Sequence, residues 1–185
     1  MNSRERAARN EWRAKRSVIS ERQPSIVRTT GPSSIEMSTP AALAKARRYC
    51  AIQERCHQEV RDKLYACELH QEQVEQVIGQ LISDGYLNEQ RFAEHYAVSK
   101  FRQKGWGRVK IRETLKFKKV STPCISKALA AIDDDEYTAY LKAAVEKQRT
   151  KVKGRDEWER EQRVKRYLLT RGFEGDLIED AVKQE

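Results

Sequence analysis

Val60-Arg61-Asp62-Lys63-Leu64, Ile111-Arg112-Glu113-Thr114-Leu115 and Val164-Lys165-Arg166-Tyr167-Leu168 share one pattern, an apolar β-branched residue followed four positions later by leucine. A step of four puts both side chains on one face of a helix. Counting on from each leucine, the fifth residue is Leu69, Val120 or Phe173, the tenth Val74, Ile125 or Ile178, and the fourteenth Ile78, Leu129 or Val182. All of these positions are apolar in all three copies. The five-residue step crosses a turn and the final four-residue step again shares a helical face, so each copy predicts a helical hairpin. The leucines stand 51 and 53 residues apart. Any amphipathic hairpin gives one such match; a register kept across the turn in three copies predicts a true repeat.

Turn chemistry fits the hairpins. Ser121, Thr122 and Pro123 supply a cap and a first-turn proline, and Gly172 can take the left-handed conformation that ends a helix. Between Ala66 and Gln71 the turn signals are weak. A third helix is expected ahead of each hairpin: Thr39 to Arg55 with Thr39 as cap, Asn88 to Lys104 with Asn88 as cap, and Asp134 to Lys151. Acidic residues at 133–136 suit the positive end of the last helix dipole. No segment alternates as a strand would. The expected fold is all-α, with three tandem three-helix repeats at 39–83, 84–132 and 133–185 forming an elongated, curved array. The core of that array is assigned to Val60, Leu64, Leu69, Ile111, Leu115, Val120, Val164, Leu168 and Phe173.

Composition agrees with a thin core. Of 185 residues, 38% are hydrophobic and 35% charged, and the formal net charge is +9. Residues 1–40 carry a net +4, 41–83 are neutral, 84–133 carry +6 and 134–185 carry −1. Most of the middle excess lies between Lys100 and Lys119, where Lys100, Arg102, Lys104, Arg108, Lys110, Arg112, Lys116, Lys118 and Lys119 face a single acid, Glu113. With Ile111 and Leu115 turned inward, several of these cations must point outward together. They could meet nucleic-acid phosphates, acidic side chains of a protein assembly, or only water. The contact reading is favoured. Residues 1–38, broken by Pro24, Gly31 and Pro32, read as a disordered basic extension.

Other functions find little support. No run approaches the ~20 apolar residues of a membrane helix, and the N-terminus lacks a signal-peptide pattern, so a cytoplasmic protein is expected. Cys50, Cys56, Cys67 and Cys124 have neither C-x-x-C pairing nor histidines at zinc-ligand spacing; they are expected reduced, with no metal site. His57, His70 and His95 stand in no nucleophile arrangement, and phosphate-loop, nucleophile-elbow and H-E-x-x-H motifs are absent. No catalytic residue and no cofactor are assigned. Trp106, set between Gly105 and Gly107, is read as a packing anchor rather than a stacking platform. Tyr86, Phe92, Tyr96, Trp158 and Tyr167 are read as core.

Asp84-Gly85-Tyr86-Leu87-Asn88-Glu89-Gln90-Arg91-Phe92-Ala93 resembles the central motif of the RecX regulatory proteins, modulators of the bacterial recombinase RecA. Arg55 to Val60 with Lys63-Leu64 is similar to that family's first-repeat helix. Lys104-Gly105-Trp106-Gly107-Arg108 with Lys110-Ile111 resembles its second-repeat turn and helix, and Arg171-Gly172-Phe173 with Ile178 the end of its third repeat. The resemblance covers about residues 41–183. It departs in the first 38 residues and in a longer linker around Val152 to Glu157. It implies three tandem three-helix repeats without catalysis, lodged in the groove of a RecA filament on single-stranded DNA. There it would lower ATP hydrolysis and strand exchange and limit filament extension, modulating DNA repair and recombination within the SOS response. Single-stranded DNA would be bound weakly without the recombinase, and nothing demands more than a monomer. The alternative from another class is a stand-alone nucleic-acid-binding helical regulator acting directly on DNA.

Overall fold

The structure, a computed structural model, describes residues 38–183. The basic extension assigned to residues 1–38 lies, but for Ser38, outside the described residues. Among the described residues there are nine helices and no strand: α1 Thr39–Ile52, α2 His57–Tyr65, α3 Gln71–Ser83, α4 Glu89–Lys104, α5 Arg108–Phe117, α6 Thr122–Ala130, α7 Asp134–Arg149, α8 Glu157–Arg171 and α9 Gly175–Lys183. They pack in consecutive threes, α1 with α2 and α3, α4 with α5 and α6, and α7 with α8 and α9. The fold is an all-α tandem of three three-helix units. All nine residues assigned to the repeat core are buried.

Three helix ends differ from the sequence reading. Ser38, not Thr39, is the residue ahead of α1, and that helix stops at Ile52 rather than Arg55. The cause is Cys56. Its Sγ accepts from the Glu59 N–H while the Glu59 carboxylate accepts from the Cys56 N–H, a capping box at the start of α2. A cap residue must be extended, so the chain has to leave α1 first, and Arg55 sits in the link with its guanidinium 4.2 Å from the Tyr49 ring centre. Similarly α7 ends at Arg149, two residues before Lys151, with Thr150 as its cap. Asn88 caps as expected, and Asp133, read only as one of the acids at the positive end of the dipole, also caps, each accepting from the N–H three residues on.

The weak turn in the first hairpin has a simple explanation. Four residues past each repeat leucine, Glu68, Lys119 and Gly172 all have positive φ, at 63°, 58° and 86°. Each hairpin therefore turns through one left-handed residue. Glycine marks it only in the third copy, because the first two accept the cost of a side chain there, roughly 1–2 kcal/mol.

Two cores result. Ala42, Ala46, Cys50, Val60, Leu64, Leu69, Val74, Val77, Ile78 and Leu81 of the first unit form one, joined by Leu87 from the link to α4. The second and third units share the other, and Cys56 is the first unit's only buried contribution to it. Phe101 of α4, Tyr137 of α7 and Phe173 bind those units together, with ring centres 5.3 Å apart between Phe101 and Tyr137 and again between Tyr137 and Phe173. The four cysteines are free thiols.

Candidate functional site

The Lys100 to Lys119 segment spans the end of α4, the Gly-Trp-Gly turn and all of α5. The turn exists because two helix ends meet there. The Gly107 N–H donates to the Arg171 carbonyl at 2.9 Å and the Val109 N–H to the Gly172 carbonyl at 3.0 Å. Unpaired N–H groups at the start of α5 thus satisfy unpaired carbonyls at the end of α8, with the two dipoles complementary. Only glycine allows this approach. A Cβ on Gly107 would stand 2.1 Å from the Gly172 carbonyl oxygen, and one on Gly172 would stand 2.3 Å from the Lys110 Cβ.

This joint and the one to the first unit occupy much of the basic segment. Arg108 stacks on the Tyr137 ring at 4.3 Å, donates to the Ile132 carbonyl at 3.1 Å and pairs with Asp134. The Tyr137 hydroxyl accepts from the Arg108 N–H at 3.0 Å and donates to Glu174 at 2.6 Å. Burial, reinforced by that carboxylate, pushes the phenol pKa well above its ordinary value. Lys110 donates to the Thr170 carbonyl at 3.2 Å. Arg102 pairs with Glu136 at 2.8 Å, across to α7.

Toward the first unit, Lys118 pairs with Glu59 at 2.6 Å. Burial alone would lower its pKa, but the Glu59 contact outweighs that and raises it. Arg91 and Glu54 make a second bridge between these units. Beside them lies a cavity of ≈540 Å³ lined by Glu54, Glu59, Tyr96, Lys100 and Lys118 among others.

The sequence grouped nine cations as one surface; the structure separates them. Arg102, Arg108, Lys110 and Lys118 hold units to one another. Lys100 lies over the Tyr96 and Trp106 rings, at 5.1 and 5.7 Å. Lys104, Arg112, Lys116 and Lys119 remain exposed. Of these four, Lys116 pairs with Glu113 on its own helix at 2.9 Å, a contact of small energetic weight.

Trp106 packs against the shared core and has Lys100 and Lys110 ammonium groups over its ring, so its faces are already used. Phe92 is buried and Tyr96 and Tyr167 are half-buried. Trp158 and Tyr86 depart from the core assignment, being 69% and 39% exposed. Trp158 stands six residues before Val164, about 240° around α8 from the buried stripe. Phe117, unassigned from sequence, is 86% exposed at the end of α5. It stands two positions after buried Leu115, about 200° around the helix, and that offset was a readable signal.

Among the described residues no cluster of histidine, cysteine or carboxylate side chains could hold a metal ion, and no helix is long and apolar enough to cross a membrane.

Family models for the RecX three-helix domains match in order: the first over residues 42–81, the second over 88–129 and the third over 134–182. Regulatory protein RecX of Prosthecochloris aestuarii is 30% identical over 149 residues, covering 80% of this chain and 96% of that protein. The namesake from Clostridium perfringens is 30% identical over 128 residues, 68% of this chain and 59% of its own length. The Bacillus pumilus protein is 29% identical, covering 74% and 52%. The chain thus spans between half and three fifths of those two longer relatives. A crystal structure of RecX from Lactobacillus salivarius superposes with a TM-score of 0.73 over 79% of this chain and 95% of that one, at 23% identity, which bears on the fold. With all three domain models matched in order and a near full-length relative, the chain belongs to the RecX family of regulatory proteins.

Proposed function

We propose that this protein binds the RecA filament on single-stranded DNA and inhibits its ATPase, strand exchange and filament extension, modulating DNA repair and recombination within the SOS response. The observation that carries the reading is the set of cations the fold leaves facing solvent on the central unit, Lys104, Arg112, Lys116 and Lys119, in a chain of the RecX family. The units 39–83, 84–132 and 133–185 are the pieces that present this surface. The protein acts in the cytoplasm as a monomer, by binding rather than catalysis and without a cofactor. The other five cations of the segment act indirectly, holding the units and the Trp106 turn in place.

The experiment is DNA-dependent ATP hydrolysis by RecA with the full chain titrated in. Hydrolysis should fall as the protein is added; no change at saturating amounts overturns the reading. A variant combining Arg112→Glu, Lys116→Glu and Lys119→Glu should lose most inhibition with its helix content unchanged. Full inhibition by that variant would make the row merely solvated surface.

A further inference from the structure

Phe117 is the most exposed of the large apolar side chains among the described residues, ahead of Ile52 and Trp158. It ends α5 beside Lys116, with Lys119 two residues on in the left-handed turn and Arg112 one helical turn back from Lys116. The nearest acid on that face is Glu113, already paired with Lys116. The outward face of α5 carries one other exposed apolar residue, Val109, two turns away at the helix start. An isolated exposed ring, with Lys116 and Lys119 beside it in sequence and Glu113 one turn back engaged by Lys116, lacks the continuous apolar surround in which protein–protein anchors sit. It does match a platform for a nucleobase, with cations placed for the flanking phosphates. The half-buried Trp106 and the exposed Trp158 fit less well. Trp106 has ammonium groups over its ring, and Trp158 lies among Glu157, Glu159 and Glu161.

We infer that Phe117 stacks on a base of single-stranded nucleic acid while Arg112, Lys116 and Lys119 hold the adjoining phosphates. This rests on reading the basic segment as a polyanion contact, and goes further by assigning the outer face of α5 to the strand rather than to filament protein. No other aromatic ring in the described residues is as exposed as Phe117.

The test uses the full chain without recombinase. Fluorescence anisotropy of a labelled oligothymidylate at low salt reads affinity for wild type, Phe117→Ala and Phe117→Trp, and an abasic strand of equal length serves as control. Removal of one stacking ring should weaken oligothymidylate binding about 5- to 150-fold. Phe117→Trp should keep the affinity, and its added indole emission, taken against the three native tryptophans, should be quenched by the strand. The abasic strand should bind both wild type and Phe117→Ala weakly and equally. Because the ring is exposed, circular dichroism of Phe117→Ala should match wild type. Wild-type affinity in Phe117→Ala, or unquenched emission in Phe117→Trp, overturns the inference. So does a Phe117→Ala variant that loses inhibition of RecA yet binds oligothymidylate as wild type does: the ring then touches filament protein, and the proposed function stands without it. If wild type fails to inhibit RecA, the proposed function falls, and the anisotropy series still decides this one.

Discussion

Replacing Gly107 by alanine adds a single methyl group where two helix ends meet. The residue has φ −75°, which alanine adopts freely, so backbone strain does not enter and the contact alone is tested. The new Cβ would lie 2.1 Å from the Gly172 oxygen, 2.2 Å from its carbonyl carbon and 2.3 Å from the Phe173 nitrogen, all backbone atoms that cannot swing away. Ordinary contact begins at 3.4 Å, so the ends of α5 and α8 must part by more than an ångström. The Gly107 to Arg171 and Val109 to Gly172 hydrogen bonds, at 2.9 and 3.0 Å, then stretch past bonding range. Gly107 is buried, and a buried N–H left unpaired costs roughly 1–3 kcal/mol, so the variant should lose at least that much, a sizeable share of a stability of about 5–15 kcal/mol. Urea unfolding followed by circular dichroism measures it. The matched control is Gly79→Ala, in α3 with nothing within 4 Å of its added Cβ, which should gain about 0.5–1 kcal/mol. If Gly107→Ala unfolds at the same urea concentration as wild type, the docked helix ends do not hold the second and third units together.

Lys119→Gly relieves a left-handed strain of roughly 1–2 kcal/mol, offset by glycine's backbone entropy of about 0.5–1 kcal/mol, and should raise the thermal midpoint while weakening inhibition of RecA because a cation is lost; a lower midpoint refutes the strain argument. Tyr137→Phe leaves the Arg108 N–H and Glu174 without their hydroxyl partner and should cost roughly 1–3 kcal/mol in chemical denaturation; an unchanged denaturation midpoint would place no weight on that hydroxyl. Burial holds the His57 imidazole below its ordinary pKa of 6.5, so the unfolded chain takes up the proton more readily. Stability should therefore be fully present above that value and fall as pH drops through it; His57→Gln should flatten the slope between pH ~7.5 and ~5.5, and an identical slope in that variant would remove His57 as the cause.

The candidate site was legible as a stretch of chain but not as a surface. Nine cations in twenty residues is a fact of sequence. Which of them are spent inside the molecule depends on Glu59, Asp134, Glu136 and Thr170, tens of residues away along the chain. No local pattern announces those partners. Phe117 was overlooked for the opposite reason, since its offset from Leu115 marks it as outward but gives no hint that the outward face would stay uncovered. Cys56 shows the same limit at smaller scale: a thiol is an unusual helix cap, and reading past it placed the end of α1 three residues too far.

The three-helix repeat was determined by the sequence alone, because helical periodicity is a local property and steps of four, five, five and four residues kept in three copies leave little freedom. The capping role of Asn88 was local in the same way. Only the tertiary structure decided that the second and third units share one core while the first keeps its own, and that Gly105-Trp106-Gly107 is a docking joint. Those outcomes depend on helix ends and side chains far apart in sequence meeting at van der Waals distance, where a single Cβ between Gly107 and Gly172 is the difference between contact and collision.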